Sequence, residues 1–413
     1  MKIVITNAYT WYNKGDAGIL LATVDVLKKI YTNPEISILS FTPEEDSKRY
    51  CKDKAITEVQ SNILNPHPYK HTKIGKCFAI MKLALKLIKT QFNIKFCFKR
   101  FISKNRNMTL LNDSDLIVVC GGGFLGGKKL DSLMHVYQIY INTLFNKPVY
   151  IMGTSIEPIQ NKMIKKYTEK VLKKVDFIFA REEITNNYLK SIIEDDKHCL
   201  IPDMAFMLDD RKNNYDFVKE LRKKSDCIFG ITVRKWNFPN IDNSVKAMTN
   251  YKTAIKEMMD YYIDKYNAYF VFIPQVTVDT GNDTLIAKEI KAMMNNKDHF
   301  VIKEDDWSPY EIKSVIGNFD FFIGTRMHSN IFATSMLIPT TAIAYEKKTN
   351  GIMKTLELDD YVIEIDSITS KDLIFTIDKM INNKETIKMH LSHKISQIRK
   401  EVYKKTKENI IKE

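Results

Sequence analysis

Short apolar runs bounded by turn residues alternate along this chain with longer stretches in which apolar positions recur every three or four residues. That alternation is the pattern of parallel strands joined by helices that cover both faces of a sheet. The runs predict strands at residues 2–6, 36–41, 116–120, 149–153 and 177–180. A polar, charged stretch follows at 209–226, after which the rhythm restarts with strands predicted at 227–233, 269–274, 300–303, 319–323 and 340–344. Two such halves predict two Rossmann-like domains facing a cleft. The expected spans are 1–208, a linker at 209–226, a second domain at 227–370 and a lysine-rich helical tail at 371–413. A length of 413 residues agrees with two cores.

Composition changes this picture little. With 44% hydrophobic and 27% charged residues the chain reads as globular. Its start runs directly into Ile3-Val4-Ile5, unlike a secretory signal, and no run reaches the length of a membrane span. Six cysteines without paired spacing point to thiols in a reducing cytoplasm, not to a disulfide framework or a zinc knuckle.

Charge adds more. The net charge is +13, and residues 60–112 contain nine Lys, two Arg and no acidic residue. Within the basic segment 70–106, Phe78, Met81, Leu85, Ile88 and Phe92 share one helical face, while Lys82, Lys86 and Lys89 follow the same rhythm on another. The expected partner is an anionic membrane surface and not nucleic acid, with the protein peripheral at the cytoplasmic face of the plasma membrane.

Candidate chemistry gathers at strand ends. Phe319-Asp-Phe-Phe-Ile-Gly-Thr-Arg326-Met-His328-Ser329 reads as a buried strand, a glycine break and a helix starting near His328. A helix start favours an anion, Arg326 offers a bidentate fork, and His328 can move a proton near neutral pH. Arg234 closes another strand, so the two arginines can hold a small dianion. Asn13-Lys14-Gly15-Asp16 forms a polar loop ahead of a helix, in which Asp16 reads equally as helix N-cap or as a base. Gly121, Gly122 and Gly123 follow a strand and allow close approach of a ligand, although they do not form the dinucleotide fingerprint. His390 and His393 have metal-binding spacing but lack a third ligand nearby. Ser308 with Glu311 makes a capping box after the acidic stretch Glu304-Asp305-Asp306.

Taken in order, these motifs resemble the polysaccharide pyruvyl transferase family. The matching segments are Asn13-x-Gly15-Asp16, the Gly121 block, Arg181-Glu, Pro202-Asp203-Met-Ala-Phe, Gly230-Ile-x-x-Arg234, Ile273-Pro-Gln and Gly324-Thr-Arg326-Met-His328-Ser329. The resemblance implies a fold like that of the GT-B glycosyltransferases, phosphoenolpyruvate as donor and a sugar acceptor, expected to be a lipid-linked oligosaccharide. It places Arg234, Arg326 and His328 where the donor is held or activated; the residues themselves add Ser329 on the donor side, His328 and Asp16 as candidates for proton transfer, and Asn13, Lys14, Gly15, Gly122 and Gly123 as candidates for the acceptor. No step of ketal formation calls for a metal or another cofactor. The chain departs from the family pattern at Gly153-Thr-Ser155-Ile-Glu157-Pro and at Tyr345-Glu346-Lys347-Lys348. Two alternatives remain: a glycosyltransferase or sugar-nucleotide epimerase of the same fold, and a non-catalytic component of polysaccharide assembly.

Overall fold

The computed structural model describes residues 1–64, 73–127, 130–278 and 281–411, with the side chains of 73–80 and 130–131 outside that description. The chain divides into two compact units. The first comprises Met1–Trp11, Ile19–Met204 and Val402–Glu413, and the second Tyr12–Gly18 and Ala205–Glu401. Residues 209–226, read from sequence as a linker, belong to the second unit and contain the helix Asp216–Arg222.

The first unit holds strands β1 (Lys2–Ala8), β2 (Glu35–Ser40), β3 (Ile56–Ser61), β4 (Leu116–Val119), β5 (Gly122–Gly126), β6 (Val149–Glu157), β7 (Phe177–Ala180) and β8 (His198–Leu200). They form one sheet in the order β3-β2-β1-β4-β6-β7-β8, with β5 paired to β6, and its ladders are parallel. Helices cover both faces of a parallel sheet, so its central strands are apolar throughout. Leu-Ile-Val-Val of β4 and Phe-Ile-Phe-Ala of β7 are buried at every position.

The second unit holds β9 (Ile228–Thr232), β10 (Tyr269–Phe272), β11 (Phe300–Ile302), β12 (Phe321–Gly324), β13 (Thr340–Ala344) and β14 (Val362–Glu364). Their order is β11-β10-β9-β12-β13-β14, again in parallel ladders. Phe229 lies at the centre of this core, stacked on Phe270 and Phe321 at 4.9 and 5.1 Å. The strand order reverses direction between β9 and β12. In such sheets the crevice outside the carboxyl ends of the strands at that reversal is where ligands bind.

The tail forms two helices, Ser370–Asn382 and Lys384–Ile410. His390 Nε2 meets the Leu356 carbonyl at 2.8 Å and His393 Nε2 meets Gln397 at 2.7 Å, so the pair is committed to separate partners. No group of three or more metal-ligating side chains occurs among the described residues. No described helix is long and apolar enough to cross a membrane.

Candidate functional site

The second unit builds its site at the reversal point. Thr232 ends β9, and its Oγ1 accepts from the backbone N–H of Thr325 (3.1 Å) and of Arg326 (3.4 Å), which follow β12. Ser329 Oγ donates to the Arg326 carbonyl at 2.6 Å and lies 2.9 Å from Thr232 Oγ1. Tyr251, fully buried, bonds Thr325 Oγ1 at 3.0 Å and receives a backbone hydrogen bond from Arg234. The two strand ends are thus cross-braced into one rigid turn. Ser329, assigned from sequence to the donor, is buried inside that bracing.

Gly324 is dictated by the same turn. A Cβ there would sit 1.7 Å from Asn330 Oδ1, and Asn330 Nδ2 donates to the Gly324 carbonyl at 3.2 Å. With Gly324 in place the helix Met327–Ser335 starts directly behind the strand, with Arg326 at its N-cap and His328 in its first turn. The positive end of a helix and two arginines share this corner, a setting for a small polyanion.

The two arginines are held differently. Arg326 forks onto Asp283, with Nη2 to Oδ1 at 2.5 Å and Nε to Oδ2 at 3.1 Å. Asp283 is buried and also accepts from the backbone N–H of Val276 at 3.0 Å. Burial opposes the Arg326 charge, but the carboxylate and its hydrogen bonds outweigh it and raise the guanidinium above its usual pKa. Arg234 has no carboxylate partner among the described residues. Its guanidinium lies over the ring of Tyr345 at 3.9 Å and near Trp236 at 4.9 Å, and burial lowers its pKa. Among the described residues its side chain makes one hydrogen bond, from Nε to the Lys235 carbonyl at 3.3 Å. Arg234 is therefore oriented by aromatic faces with its terminal nitrogens available, whereas Arg326 is already half neutralised.

Residues 12–18 join the same unit. Asn13 bridges Val276 in antiparallel fashion, and the Lys14 N–H donates to the Gln275 carbonyl at 2.8 Å. Gly15 lies against His328 so closely that a Cβ would fall 2.1 Å from the imidazole Nδ1. Lys14 is buried, and its Nζ meets Asp306 Oδ1 at 2.8 Å. The helix that opens here runs from Lys14 to Ile30, so Asp16 sits inside its first turn and not at the N-cap. Asn13 precedes the helix and donates through Nδ2 to Asp16 Oδ2 at 2.6 Å. The structure brings Asn13, Lys14, Gly15 and Asp16 into one unit with Arg234, Arg326 and His328. Gly122 and Gly123 belong to the first unit, within β5.

Sequence reasoning missed Asp283, Asp306, Thr232, Tyr251 and Tyr345. Asp306 was visible only as one of three consecutive acidic residues, and Asp283, the first residue of the helix Asp283–Met293 behind its N-cap Asn282, carried no sequence signal. Tyr345, noted as a departure from the family pattern, is the platform under Arg234. In the first unit, two segments quoted for the resemblance and one noted as a departure from it form one buried assembly. Arg181 pairs with Asp203 at 2.9 Å and donates through Nε to Ser155 Oγ at 2.7 Å.

Two parallel sheets flanked by helices, one in each unit, define a protein of GT-B-like fold, and solved structures bear this fold out. UGT73P12 of Glycyrrhiza uralensis superposes with a TM-score of 0.60 at 9% identity, covering 99% of this chain and 95% of that one. A UDP-N-acetylglucosamine 2-epimerase, putatively named so, from Listeria monocytogenes gives 0.57 at 10% identity, covering 95% and 90%. The profile of the family described as Polysaccharide pyruvyl transferase matches residues 13–347, and the chain belongs to that family. Among proteins of known role it is 24% identical to the amylovoran biosynthesis protein AmsJ of Erwinia amylovora, over 97% of this chain and 96% of that protein.

Proposed function

We propose that this protein transfers the enolpyruvyl-derived group of phosphoenolpyruvate onto two hydroxyls of a sugar in a lipid-linked surface-polysaccharide precursor, forming a pyruvate ketal and releasing phosphate. The convergence of Arg234, Arg326 and His328 at the carboxyl ends of β9 and β12, with Asn13–Asp16 in the same unit, carries this reading. Family membership supports the reaction class, and the likeness to a protein named for amylovoran biosynthesis supports a polysaccharide product.

The chemistry follows from what the corner offers. Phosphoenolpyruvate carries a carboxylate and a phosphate, and Arg234 with the helix start neutralises them. His328 donates a proton to the methylene carbon, which leaves C2 electrophilic. A sugar hydroxyl attacks C2, and Asp16 takes its proton. The C2–O bond to phosphate then breaks, and a second hydroxyl closes the ring while its proton leaves on phosphate. The proton held by Asp16 returns to His328, so the enzyme ends as it began.

The test is incubation with phosphoenolpyruvate and lipid-linked oligosaccharide, reading phosphate release and an acceptor mass gain of one pyruvate less one water. Arg234→Gln is expected to raise the KM for phosphoenolpyruvate. His328→Asn is expected to lower kcat by about 10²-fold or more with donor binding retained. Turnover of a nucleotide sugar with no use of phosphoenolpyruvate would overturn the proposal in favour of a glycosyltransferase or epimerase.

A further inference from the structure

In the first unit, the helix Lys73–Phe96 presents to solvent the side that its own pattern of apolar residues marks as the packing face. Met81, Leu85, Ile88, Phe92 and Phe96 are 49% to 65% exposed, and the rings of Phe92 and Phe96 lie 5.0 Å apart. Phe78, read from sequence as part of this stripe, falls among the side chains outside the description. Other residues anchor the helix. Leu83 and Ile94 pack on the hydrophobic core, Thr90 is buried between them, and Gln91 Nε2 donates to Tyr137 Oη at 2.9 Å.

Helical geometry shows how separate these sides are. At about 100° per residue, Leu83, Thr90 and Ile94 fall within about 20° of one line along the helix. The five exposed apolar residues all fall within about 40° of the opposite line. Lys82 and Lys89 border the stripe on one side and Lys95 on the other, each exposed. Lys86 turns toward the protein, and burial lowers its pKa. A helix held by one narrow edge, with an apolar ridge opposite and lysines along its margins, has the form of an interfacial helix.

We infer that this helix lays its exposed apolar ridge into the headgroup region of an anionic bilayer. Charge complementarity selects that occupant: residues 60–112 hold nine Lys, two Arg and no acidic residue, so the ridge stands in a field that attracts anionic lipid. Met81, Leu85, Ile88, Phe92 and Phe96 enter the acyl boundary, and the lysines reach phosphates on either side. The inference does not depend on the reaction proposed above. If that reaction holds, docking delivers the enzyme to the surface that carries a lipid-linked acceptor.

The experiment is co-sedimentation of the full chain with vesicles of phosphatidylcholine alone and with added phosphatidylglycerol. Wild type is expected to bind the mixed vesicles, more weakly as salt rises. The variant Leu85→Ser/Ile88→Ser/Phe92→Ser alters only outward side chains and is expected to lose at least tenfold in partitioning with an unchanged melting temperature. Lys82→Glu/Lys89→Glu is expected to lose the preference for anionic vesicles, since each lysine near such a surface contributes about fivefold. Sedimentation velocity without lipid tests for a second copy on the ridge. Failure of wild type to bind the mixed vesicles, undiminished binding by the folded serine variant, or a wild-type dimer that this variant dissolves would each overturn the inference.

Discussion

Replacing Asp283 with Ala strikes the counter-ion of Arg326 without touching either arginine. The carboxylate is 1% exposed and the guanidinium 16% exposed, so the charge left behind has little water to turn to. Removing one partner of a buried pair costs about 3–5 kcal/mol, and the partial exposure of Arg326 favours the lower end of that range. The Val276 N–H loses its acceptor as well, adding about 1 kcal/mol. The sum is about 4 kcal/mol, which at a urea dependence of about 3 kcal/mol per molar moves the midpoint down by about 1.3 M. Of the three tryptophans only Trp236 and Trp307 lie in the second unit, so a Trp11→Phe background lets fluorescence follow that unit alone. Arg326→Met added to Asp283→Ala is expected to recover at least half of the loss, giving a coupling above about 2 kcal/mol. A midpoint for Asp283→Ala within about 0.3 M of the parent would refute the assignment of Arg326 as a residue held by this pair. The same logic makes Arg326→Ala a stability variant as well as an activity variant, because it strands a buried carboxylate.

Gly15→Ala places a methyl 2.1 Å from His328 Nδ1, where ordinary contact is about 3.5 Å, so the imidazole must retreat by more than about 1 Å. Turnover is expected to fall about 10²-fold, while the gain of about 1 kcal/mol in helix propensity offsets much of the crowding, so the melting temperature changes by only a few degrees; full activity would detach Gly15 from the site. In the first unit, His135 is buried between Phe41 and Phe124, with Nδ1 3.1 Å from Asn7 Nδ2, and burial depresses its pKa from 6.5 to about 3. A histidine more acidic in the fold than in the unfolded chain adds stability above pH 6.5 that is lost as pH falls toward 3. Unfolding free energy is therefore expected to drop by about 2 kcal/mol between pH 7 and pH 5, and a His135→Gln variant showing the same slope would remove His135 as its source.

The central strands were legible because burial on both faces writes itself as an unbroken apolar run. Phe177–Ala180 and Thr340–Ala344 occupy the predicted positions residue for residue. The strands not foreseen lack that signature. β3, Ile-Thr-Glu-Val-Gln-Ser, buries only Ile56 and Val59, β5 is largely glycine, and β8 and β14 are three-residue edge strands. The site divides in the same way. Arg326 and His328 were legible because strand, glycine and helix are contiguous there, and Arg234 because it directly follows a strand. Asp283 and Asp306 act as counter-ions to residues 43 and 292 positions away, and nothing local to either carboxylate signals that partner. The helix Lys73–Phe96 shows a third case: its periodicity was plain in sequence, but periodicity has no sign. Which side turns inward depended on where Leu83 and Ile94 found a core to fill.

The assembly of Arg181, Asp203 and Ser155 bears on how relatives of this chain should be sorted. Arg181 and Asp203 lie in segments by which the family is recognised and Ser155 in one where this chain departs from the pattern, yet Arg181 is bonded to both of the others inside the first unit. A descendant that had lost its chemistry would still need them to fold, and would still look like a member. Arg234 has the reverse profile, because its aromatic cradle leaves the terminal nitrogens of a cation without an internal task. A chain that keeps Arg181 and Asp203 but replaces Arg234 together with His328 is therefore best sought among scaffolding or regulatory proteins, and one that keeps all four among transferases.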